Sequence, residues 1–236
     1  MGLHQFQFKQ FTILQDRCGM KVTTDGVLLG AWTNPNGVGR ILDIGTGTGL
    51  IALMLAQRCT AQIDGVEIDG SACLQAQENV ARSSWQHQVK VYHSSLQDYT
   101  LNCPHLYDLI VCNPPFFTNV SKAATPARTL ARHNDKLTLT ELFFAVNRLL
   151  TKEGRMTMIY PYIAANQLKE NIKPFGLFLN KIVALKTTPQ AQPKRILIEL
   201  SRQPVCLSEQ SLVVQTNQHH YTPEFIELVR DFYLKY

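Results

Sequence analysis

The 236-residue chain lacks the features that mark secreted, membrane-spanning and zinc-binding proteins. Its longest apolar run, residues 50–56, is far too short to cross a bilayer. The amino-terminal residues do not show the charged and then apolar layout of a signal peptide. The six cysteines are scattered without a Cys-x-x-Cys pair, which argues against a zinc site and against a disulfide scaffold. These absences favour the reducing cytoplasm as compartment and predict no metal.

Acidic residues are scarce in the second half of the chain. Residues 1–113 hold 7 Lys and Arg against 9 Asp and Glu, a net charge of −2, whereas residues 114–236 hold 16 against 9, a net charge of +7. Such a basic half suggests a polyanionic partner, with nucleic acid as the candidate. Many soluble proteins have a basic half without binding nucleic acid, so charge alone does not decide the function.

The order of apolar segments predicts a Rossmann-like, doubly wound α/β sheet. With 45% hydrophobic residues, the chain can bury a full core, and we expect one domain over residues 1–236 and a monomer. An N-terminal arm is expected over residues 1–35. Seven strands are expected, mostly parallel, at residues 40–45, 62–68, 89–93, 107–112, 155–160, 180–185 and 195–201. The last two lack an intervening helix and should form an antiparallel hairpin.

A glycine-rich turn follows the first of these strands. Asp43 precedes Gly45, Gly47 and Gly49, and glycines there permit positive φ angles and close approach of the backbone to a ligand. The second strand ends near Glu67, whose carboxylate can bind both hydroxyls of a ribose. Because ligands of open α/β sheets bind at the carboxyl ends of the strands, these residues predict a nucleotide-like cofactor.

Two classes of cofactor fit this layout. Dinucleotide oxidoreductases place a pyrophosphate at the helix N-terminus, whereas S-adenosylmethionine enzymes place the methionine half of the cofactor there. Asp43 favours S-adenosylmethionine, because a carboxylate attracts the ammonium group but would repel a pyrophosphate. Many such enzymes bind the cofactor adenine through an Asp after the third strand. Ser95 stands at that place here, so Ser95 or the nearby Asp98 is the candidate for adenine binding.

The fourth strand runs into Asn113, Pro114, Pro115 and Phe116. A residue before proline is extended, and the two prolines stiffen the backbone and expose a carbonyl. The Asn113 side-chain oxygen and the Pro114 carbonyl can accept hydrogen bonds from a planar amine while Phe116 stacks on its ring. These four residues are therefore the candidate catalytic residues. The alternative is an ordinary turn after a buried strand, because Asn-Pro is common in turns.

The order of these motifs is that of class I adenine-N6 methyltransferases that keep the cofactor motif ahead of the catalytic one. Residues 8–11, 20–32, 76–79 and 131–133 resemble the bacterial tRNA1(Val) adenine-37 N6-methyltransferase family. The resemblance is strongest in residues 6–135 and weak near the C-terminus. It implies S-adenosylmethionine as cofactor, tRNA as partner and methylation of an adenine amine beside the anticodon. In stacked RNA this base would have to be extruded.

Residues 117–136 are interpreted as a substrate loop because basic residues dominate them. The cations, which oppose a single acid, Asp135, are Lys122, Arg128, Arg132 and Lys136. They are candidates for phosphate contacts, although a solvated charged loop has the same composition. Lys194, Arg195 and Arg202 are expected to add to the same surface.

Several other functions compete with RNA adenine methylation. A rRNA base, a DNA base or a protein glutamine also offers a planar amine, but DNA enzymes usually carry a larger recognition insertion. A nicotinamide oxidoreductase would leave the segment from Asn113 to Phe116 unexplained. A non-catalytic RNA-binding protein would not need the intact glycines.

Overall fold

The computed structural model describes residues 4–114 and 137–236. In chain order, the strands of these residues are β1 (Gln5–Gln7), β2 (Thr12–Leu14), β3 (Arg40–Ile44), β4 (Gln62–Glu67), β5 (Val89–His93), β6 (Tyr107–Cys112), β7 (Leu150–Pro161), β8 (Phe178–Lys186), β9 (Arg195–Ser201) and β10 (Ser208–Val213). The α-helices are α1 (Thr24–Trp32), α2 (Leu50–Ala56), α3 (Gly70–Ala81), α4 (Leu96–Asn102), α5 (Leu139–Leu149), α6 (Ala165–Ile172) and α7 (Pro223–Val229).

Within the described residues, eight strands form one mixed sheet in the order β10-β8-β9-β7-β6-β3-β4-β5. The five strands from β7 to β5 are parallel to one another. Strand β9 is antiparallel to both β7 and β8, and β10 is parallel to β8. Strands β1 and β2 form a separate antiparallel hairpin.

The sheet separates two hydrophobic cores because its parallel strands are apolar on both faces. Two consecutive residues of β3, Ile41 and Leu42, point to opposite faces and belong to different cores. The first core contains the apolar residues of α1, α2, α3, α7 and the N-terminal hairpin, and the second contains those of α4, α5 and α6. Helices on both faces make this a doubly wound sheet.

Local sequence signals explain where the helices begin. Thr23 caps α1 by accepting a hydrogen bond from the Gly26 backbone N–H at 3.2 Å. Thr138 and Glu141 form a capping box at the start of α5. Thr222 caps α7, whose first residue is Pro223.

The prediction of a mostly parallel, Rossmann-like sheet with a C-terminal antiparallel hairpin is confirmed, but the expected number of strands is too low. The eighth strand, β10, is Ser-Glu-Gln-Ser-Leu-Val, and its mostly polar residues show no apolar alternation. It is an edge strand that backbone pairing with β8 holds in place. Helix α4 was also not predicted as a helix. In the described residues, no helix is long and apolar enough to cross a membrane.

Candidate active site

The candidate site lies where the strand order of the sheet reverses. From β3 the chain moves outward to β4 and β5, and it then returns to place β6 on the opposite side of β3. Ile44 of β3 is in register with the residues that precede Glu67 and Asn113. Gly45, Glu67 and Asn113 therefore stand side by side at the carboxyl ends of three adjacent strands, where ligands of open α/β sheets bind.

The glycine turn has the left-handed backbone that its sequence predicts. The φ angles are 68° at Gly45, 57° at Gly47 and 79° at Gly49, and a side chain would strain the backbone at each of them. The Gly45 and Thr46 N–H groups both donate to the Val66 carbonyl, at 2.9 and 3.1 Å. These bonds attach the turn to the end of β4.

Asp43 is buried beneath the turn, with 1% of its surface exposed. Its Oδ2 accepts hydrogen bonds from the Thr46 hydroxyl at 2.6 Å and from the Ala52 N–H at 3.2 Å. Burial raises the pKa of the carboxyl from 3.8 to about 7, although both hydrogen bonds oppose the shift. Its Oδ1 is buried without a hydrogen-bond partner in the described residues. Such an acceptor fits a donor that the chain itself does not supply, and the ammonium group of S-adenosylmethionine is one.

The Glu67 carboxylate is half-buried and held in one orientation by two backbone N–H groups. Oε2 accepts from Gly47 at 2.8 Å, and Oε1 accepts from Asp69 at 2.9 Å. A carboxylate offers about four lone-pair positions. One position therefore remains on each oxygen, which suits the two adjacent hydroxyls of a ribose.

Ser95 has a structural role that its sequence position did not reveal. It caps α4, because its hydroxyl accepts from the Asp98 N–H at 3.0 Å and donates to Asp98 Oδ2 at 2.7 Å. Ser95 follows β5 and lies beside Glu67, since the Ser94 N–H donates to the Glu67 carbonyl at 3.0 Å. The Ser95 hydroxyl proton is therefore used, but one lone pair of its oxygen is left. The Ser95 hydroxyl and the exposed Asp98 carboxylate both stay candidates to accept from an adenine amine.

Asn113 is half-buried and Pro114 is buried at the end of β6. A Cβ atom added to Gly26 would lie 3.8 Å from Asn113 Nδ2 and 3.2 Å from Leu50 Cδ2. The first turn of α1 is therefore one wall beside the Asn113 amide, and the absence of a side chain at Gly26 keeps that wall close.

Helix α1 is fixed against the sheet at its other end. Arg58 donates from Nη1 to the carbonyls of Gly30, Ala31 and Thr33 at 2.9–3.0 Å. The Thr33 hydroxyl is hydrogen-bonded to that of Thr157 in β7 at 2.9 Å. These contacts hold the helix whose first turn faces Asn113.

Not every predicted site residue belongs to the part of the chain that the structure describes. Pro115 and Phe116 of the catalytic motif, and the four cations of the substrate loop, Lys122, Arg128, Arg132 and Lys136, lie outside the described residues. The structure separates the remaining cations. Lys194 and Arg195 lie at the carboxyl edge of the sheet beside Pro161 of β7, whereas Arg202 lies beyond the opposite end of β9. There it donates to Asn147 Oδ1 at 2.7 Å and to backbone carbonyls at the end of α5.

Sequence reasoning missed three residues that position the glycine turn, namely Thr46, Gly65 and Asn79. Thr46 orients Asp43, and it packs where Gly65 has no side chain, because a Cβ at Gly65 would lie 3.1 Å from the Thr46 side chain. The buried Asn79 of α3 donates to the carbonyls of Thr48 and Leu14, each at 2.9 Å. It thereby connects the turn to the N-terminal hairpin. A polar residue within the apolar pattern of α3 was the available signal for Asn79.

This fold and this arrangement of Asp43, Glu67 and Asn113 define a class I methyltransferase, and residues 26–171 match the methyltransferase small domain family. The chain is 52% identical over 239 residues to a tRNA1(Val) (adenine(37)-N6)-methyltransferase of Trichodesmium erythraeum, with 100% of both chains covered. It is 46% identical to the Parabacteroides distasonis protein of the same name, with 98% of both covered. The chain belongs to the tRNA1(Val) (adenine(37)-N6)-methyltransferase family, as its sequence motifs predicted.

Solved structures agree on the fold. A protein from Agrobacterium tumefaciens described as a predicted O-methyltransferase aligns with a TM-score of 0.64 over 88% of this chain and 96% of its own, at 16% identity. A ribosomal protein methylase from Lactobacillus delbrueckii aligns with a TM-score of 0.56 over 84% and 100% of the two chains, at 14% identity. At these identities, the likeness concerns the fold alone.

Proposed function

We propose that the chain methylates the exocyclic N6 amine of adenine 37 in tRNA1(Val), the reaction for which its relatives are named. One structural observation carries the proposal. The cofactor turn at Gly45 and the acceptor residue Asn113 end adjacent parallel strands, β3 and β6, at the switch point of the sheet. A methyl donor and a planar amine bound at these two places would therefore be neighbours.

The acceptor half of the site overcomes the weak nucleophilicity of an aromatic amine. The adenine amine is a poor nucleophile because its lone pair is delocalised into the ring. The Asn113 side-chain oxygen and the Pro114 carbonyl accept the two N6 hydrogens and draw the nitrogen toward tetrahedral geometry. Pro115 stiffens this segment, and Phe116 stacks on the base. Holding the amine in line with the methyl group provides most of the remaining rate enhancement.

The donor half of the site is formed by residues of β3, β4 and α4. When bound, S-adenosylmethionine supplies a methyl group that is activated by its sulfonium. Asp43 accepts from the ammonium group, and Glu67 accepts from the two ribose hydroxyls. The backbone of Gly45, Gly47 and Gly49 lets the methionine half approach closely. Ser95, through the lone pair left on its hydroxyl, or the neighbouring Asp98 accepts from the cofactor adenine amine.

The partner and the compartment follow from the same proposal. Lys122, Arg128, Arg132 and Lys136 contact phosphates of the tRNA. The chain works as a monomer and a single domain in the cytoplasm, where its six cysteines, which are all free thiols in the structure, stay reduced. In the described residues, no cluster of three or more His, Cys, Asp or Glu is arranged to hold a metal ion.

The proposed function is tested by locating the methyl group in the product. The protein is incubated with methyl-labelled S-adenosylmethionine and either tRNA1(Val), the same tRNA with guanine at position 37, a DNA oligonucleotide or a glutamine peptide. We expect N6-methyladenosine at position 37 of the unmodified tRNA and no label in the other three substrates, as read by nucleoside and fragment mass spectrometry. Label in DNA or peptide, or equal label in the guanine variant, contradicts the proposal.

The raised pKa of Asp43 predicts that cofactor affinity depends on pH. Without ligand the carboxyl is mostly protonated below about pH 7, whereas an ammonium group requires the carboxylate. Binding of S-adenosylhomocysteine should therefore release a proton, and affinity should rise roughly tenfold per unit up to about pH 7 and then level off. Calorimetry in buffers of different ionisation enthalpy measures both the affinity and the proton release.

The variant Asp43→Asn is the control for this pH dependence. It keeps the shape of the side chain but does not titrate, so its weaker affinity should be independent of pH over the same range. An equal slope in the two proteins would show that another group titrates. The stability of the ligand-free protein changes with pH in the opposite direction to the affinity. Between about pH 4 and about pH 7 the folded state retains a proton on Asp43 that the unfolded chain has lost, so the free energy of unfolding falls as pH rises.

A further inference from the structure

A second concave surface lies at the same edge of the sheet as Asn113. It is a cleft of about 400 Å³ between the first turn of α1, the ends of β8 and β9, and the C-terminal segment. Arg195 is the first residue of β9 and is in register with Pro161 at the end of β7 and with Leu185 near the end of β8. The cleft therefore opens beyond the carboxyl end of β7. In the strand order it lies on the β9 and β8 side of β6, whereas the glycine turn follows β3 on the other side of β6.

The cleft has an excess of positive charge. Its lining contains Lys186, Lys194 and Arg195 with a single acid, Asp25. Arg195 Nε is held by Asp25 Oδ2 at 2.9 Å, and its Nη1 donates to the Lys194 carbonyl at 3.2 Å. Lys186 and Lys194 form no ion pair with another residue in ranges 4–114 and 137–236. Two lysines thus remain to neutralise a polyanion.

The carboxyl edge of the sheet is electrostatically divided at β6. On the cofactor side, the strand ends are followed by carboxylates, namely Glu67, Asp69 and Asp98. On the other side, Lys186 is the last residue of β8, Arg195 is the first residue of β9, and Lys194 directly precedes it. A polyanion is repelled from the first side and attracted to the second.

The strand order estimates the distance from the acceptor residue to these cations. Neighbouring strands lie about 4.8 Å apart. Arg195 is two strands from Asn113 and Lys186 is three strands from it. Strand β7 also extends to Pro161, beyond the residue that stands opposite Asn113, which adds to the separation along the strands. Arg195 and Lys186 therefore lie roughly 10–20 Å from Asn113. That span suits the nucleotides next to an extruded base.

Two exposed side chains, Tyr162 and Ile163, lie in the turn after β7, between Asn113 and the cleft. The turn after β7 exposes 46% of Tyr162 and 90% of Ile163. The Tyr162 N–H donates to the Lys194 carbonyl at 3.1 Å, so this turn is bonded directly to a residue that lines the cleft. Aromatic and apolar side chains next to cations are typical of surfaces that bind single-stranded nucleic acid, where bases stack and phosphates are neutralised.

We propose that this surface, formed by Tyr162, Ile163, Lys186, Lys194 and Arg195, binds the RNA strand that flanks the target adenine. The proposal rests on the proposed function and adds a second RNA-binding element on the part of the chain outside the 117–136 loop. Tyr162 and Ile163 contact the bases of flanking nucleotides. The cations bind their phosphates and hold the strand so that the extruded adenine reaches Asn113.

The phosphate contacts are tested with the double variant Lys186→Gln/Lys194→Gln. Each lost phosphate contact lowers the slope of log affinity against log salt by about 0.7–0.9. We therefore expect the slope for tRNA1(Val) binding to fall by roughly 1.4–1.8 and the affinity to fall roughly tenfold. The affinity for S-adenosylhomocysteine should stay unchanged. The matched control is Lys152→Gln, an exposed lysine near the opposite end of β7, which should change neither quantity.

The base contacts are tested with Tyr162→Ala and Ile163→Ser. Both side chains are exposed, so neither change should lower the melting temperature appreciably. We expect tRNA affinity to fall roughly fivefold or more with Tyr162→Ala and less with Ile163→Ser, while the salt slope stays that of the wild type. A fall in affinity without a change in slope separates stacking from charge.

The outcomes separate this proposal from the proposed function. If the wild type methylates tRNA1(Val) but the lysine double variant matches Lys152→Gln in slope and affinity, the surface is not an RNA site and the function stands. If the wild type neither binds nor methylates tRNA, both proposals fail. Reduced S-adenosylhomocysteine affinity in the lysine variant would also overturn the surface proposal, because it would indicate general damage to the fold.

Discussion

The variant Asn113→Ala is expected to lower kcat for methyl transfer by about 100- to 1000-fold, the range seen when one positioned hydrogen-bonding group is removed from a transition state. The reason is that alanine cannot accept the N6 hydrogen, so the amine lone pair stays delocalised in the ring. The affinity for S-adenosylhomocysteine should remain within about threefold, since the residues assigned to the cofactor lie on β3, β4 and α4. Single-turnover kinetics with tRNA1(Val) and calorimetry with S-adenosylhomocysteine measure the two quantities.

The matched variant Asn113→Asp distinguishes hydrogen bonding from simple loss of packing. Aspartate keeps a side-chain oxygen in the same place and therefore still accepts the N6 hydrogen. It should retain at least about tenfold more activity than the alanine variant, although a charge on this half-buried side chain costs some stability. Unchanged turnover in Asn113→Ala, or equal losses in both variants, would contradict the assigned role.

The variant Glu67→Ala is expected to weaken S-adenosylhomocysteine binding by roughly 100-fold or more. Hydrogen bonds to a charged group contribute about 1.5–3 kcal/mol each, and two ribose hydroxyls lose their acceptor. The same change leaves the Gly47 and Asp69 N–H groups without the partners they have at 2.8 and 2.9 Å, which loosens the turn. Calorimetry gives the affinity, and thermal unfolding without ligand gives the stability change.

A cofactor analogue makes this test specific to the ribose contact. In the wild type, 2′-deoxy-S-adenosylhomocysteine should bind at least tenfold more weakly than the parent compound. In Glu67→Ala the two should bind nearly equally, because the acceptor of the missing hydroxyl is already gone. Glu153→Ala, an exposed acid near the opposite end of β7, serves as the control. A full penalty for the deoxy analogue in Glu67→Ala would assign the hydroxyl to another residue.

The parallel part of the fold was predictable because its signals are local. Residues 40–44 and 107–112 are short apolar runs that a strand buried on both faces requires. The caps at Thr138 and Thr222 are local signals of the same kind, because each side chain bonds to the first turn of the helix that it begins. The polar strand β10 and helix α4 were missed for the same reason. Strand β10 is stabilised by backbone pairing with β8. Helix α4 has a local cap at Ser95, but only Leu96 and Thr100 of its residues are buried, so its sequence shows no apolar period.

The candidate site shows the same division. Asp43, Glu67 and Asn113 were predicted from their positions at or just beyond the ends of apolar strands, because strand ends in such sheets carry ligand-binding residues. The bond from Thr46 to Asp43 and the contact of Gly65 with Thr46 were not predicted. They depend on how two strands and a turn pack, at distances of 2.6 and 3.1 Å.

By itself, the sequence determined the fold class, the family, the cofactor and the order of the functional motifs, since each is encoded in runs of a few residues. Only the tertiary structure decided which side chains remain available to a ligand. It paired the Ser95 hydroxyl proton with Asp98, left one oxygen of Asp43 buried without a partner in the described residues, and placed Arg202 at the end of α5. It also joined Lys186, Lys194 and Arg195 into one cleft near Asn113. The physical reason is that strand order and register, which depend on long-range packing, set the distances between residues far apart in the chain.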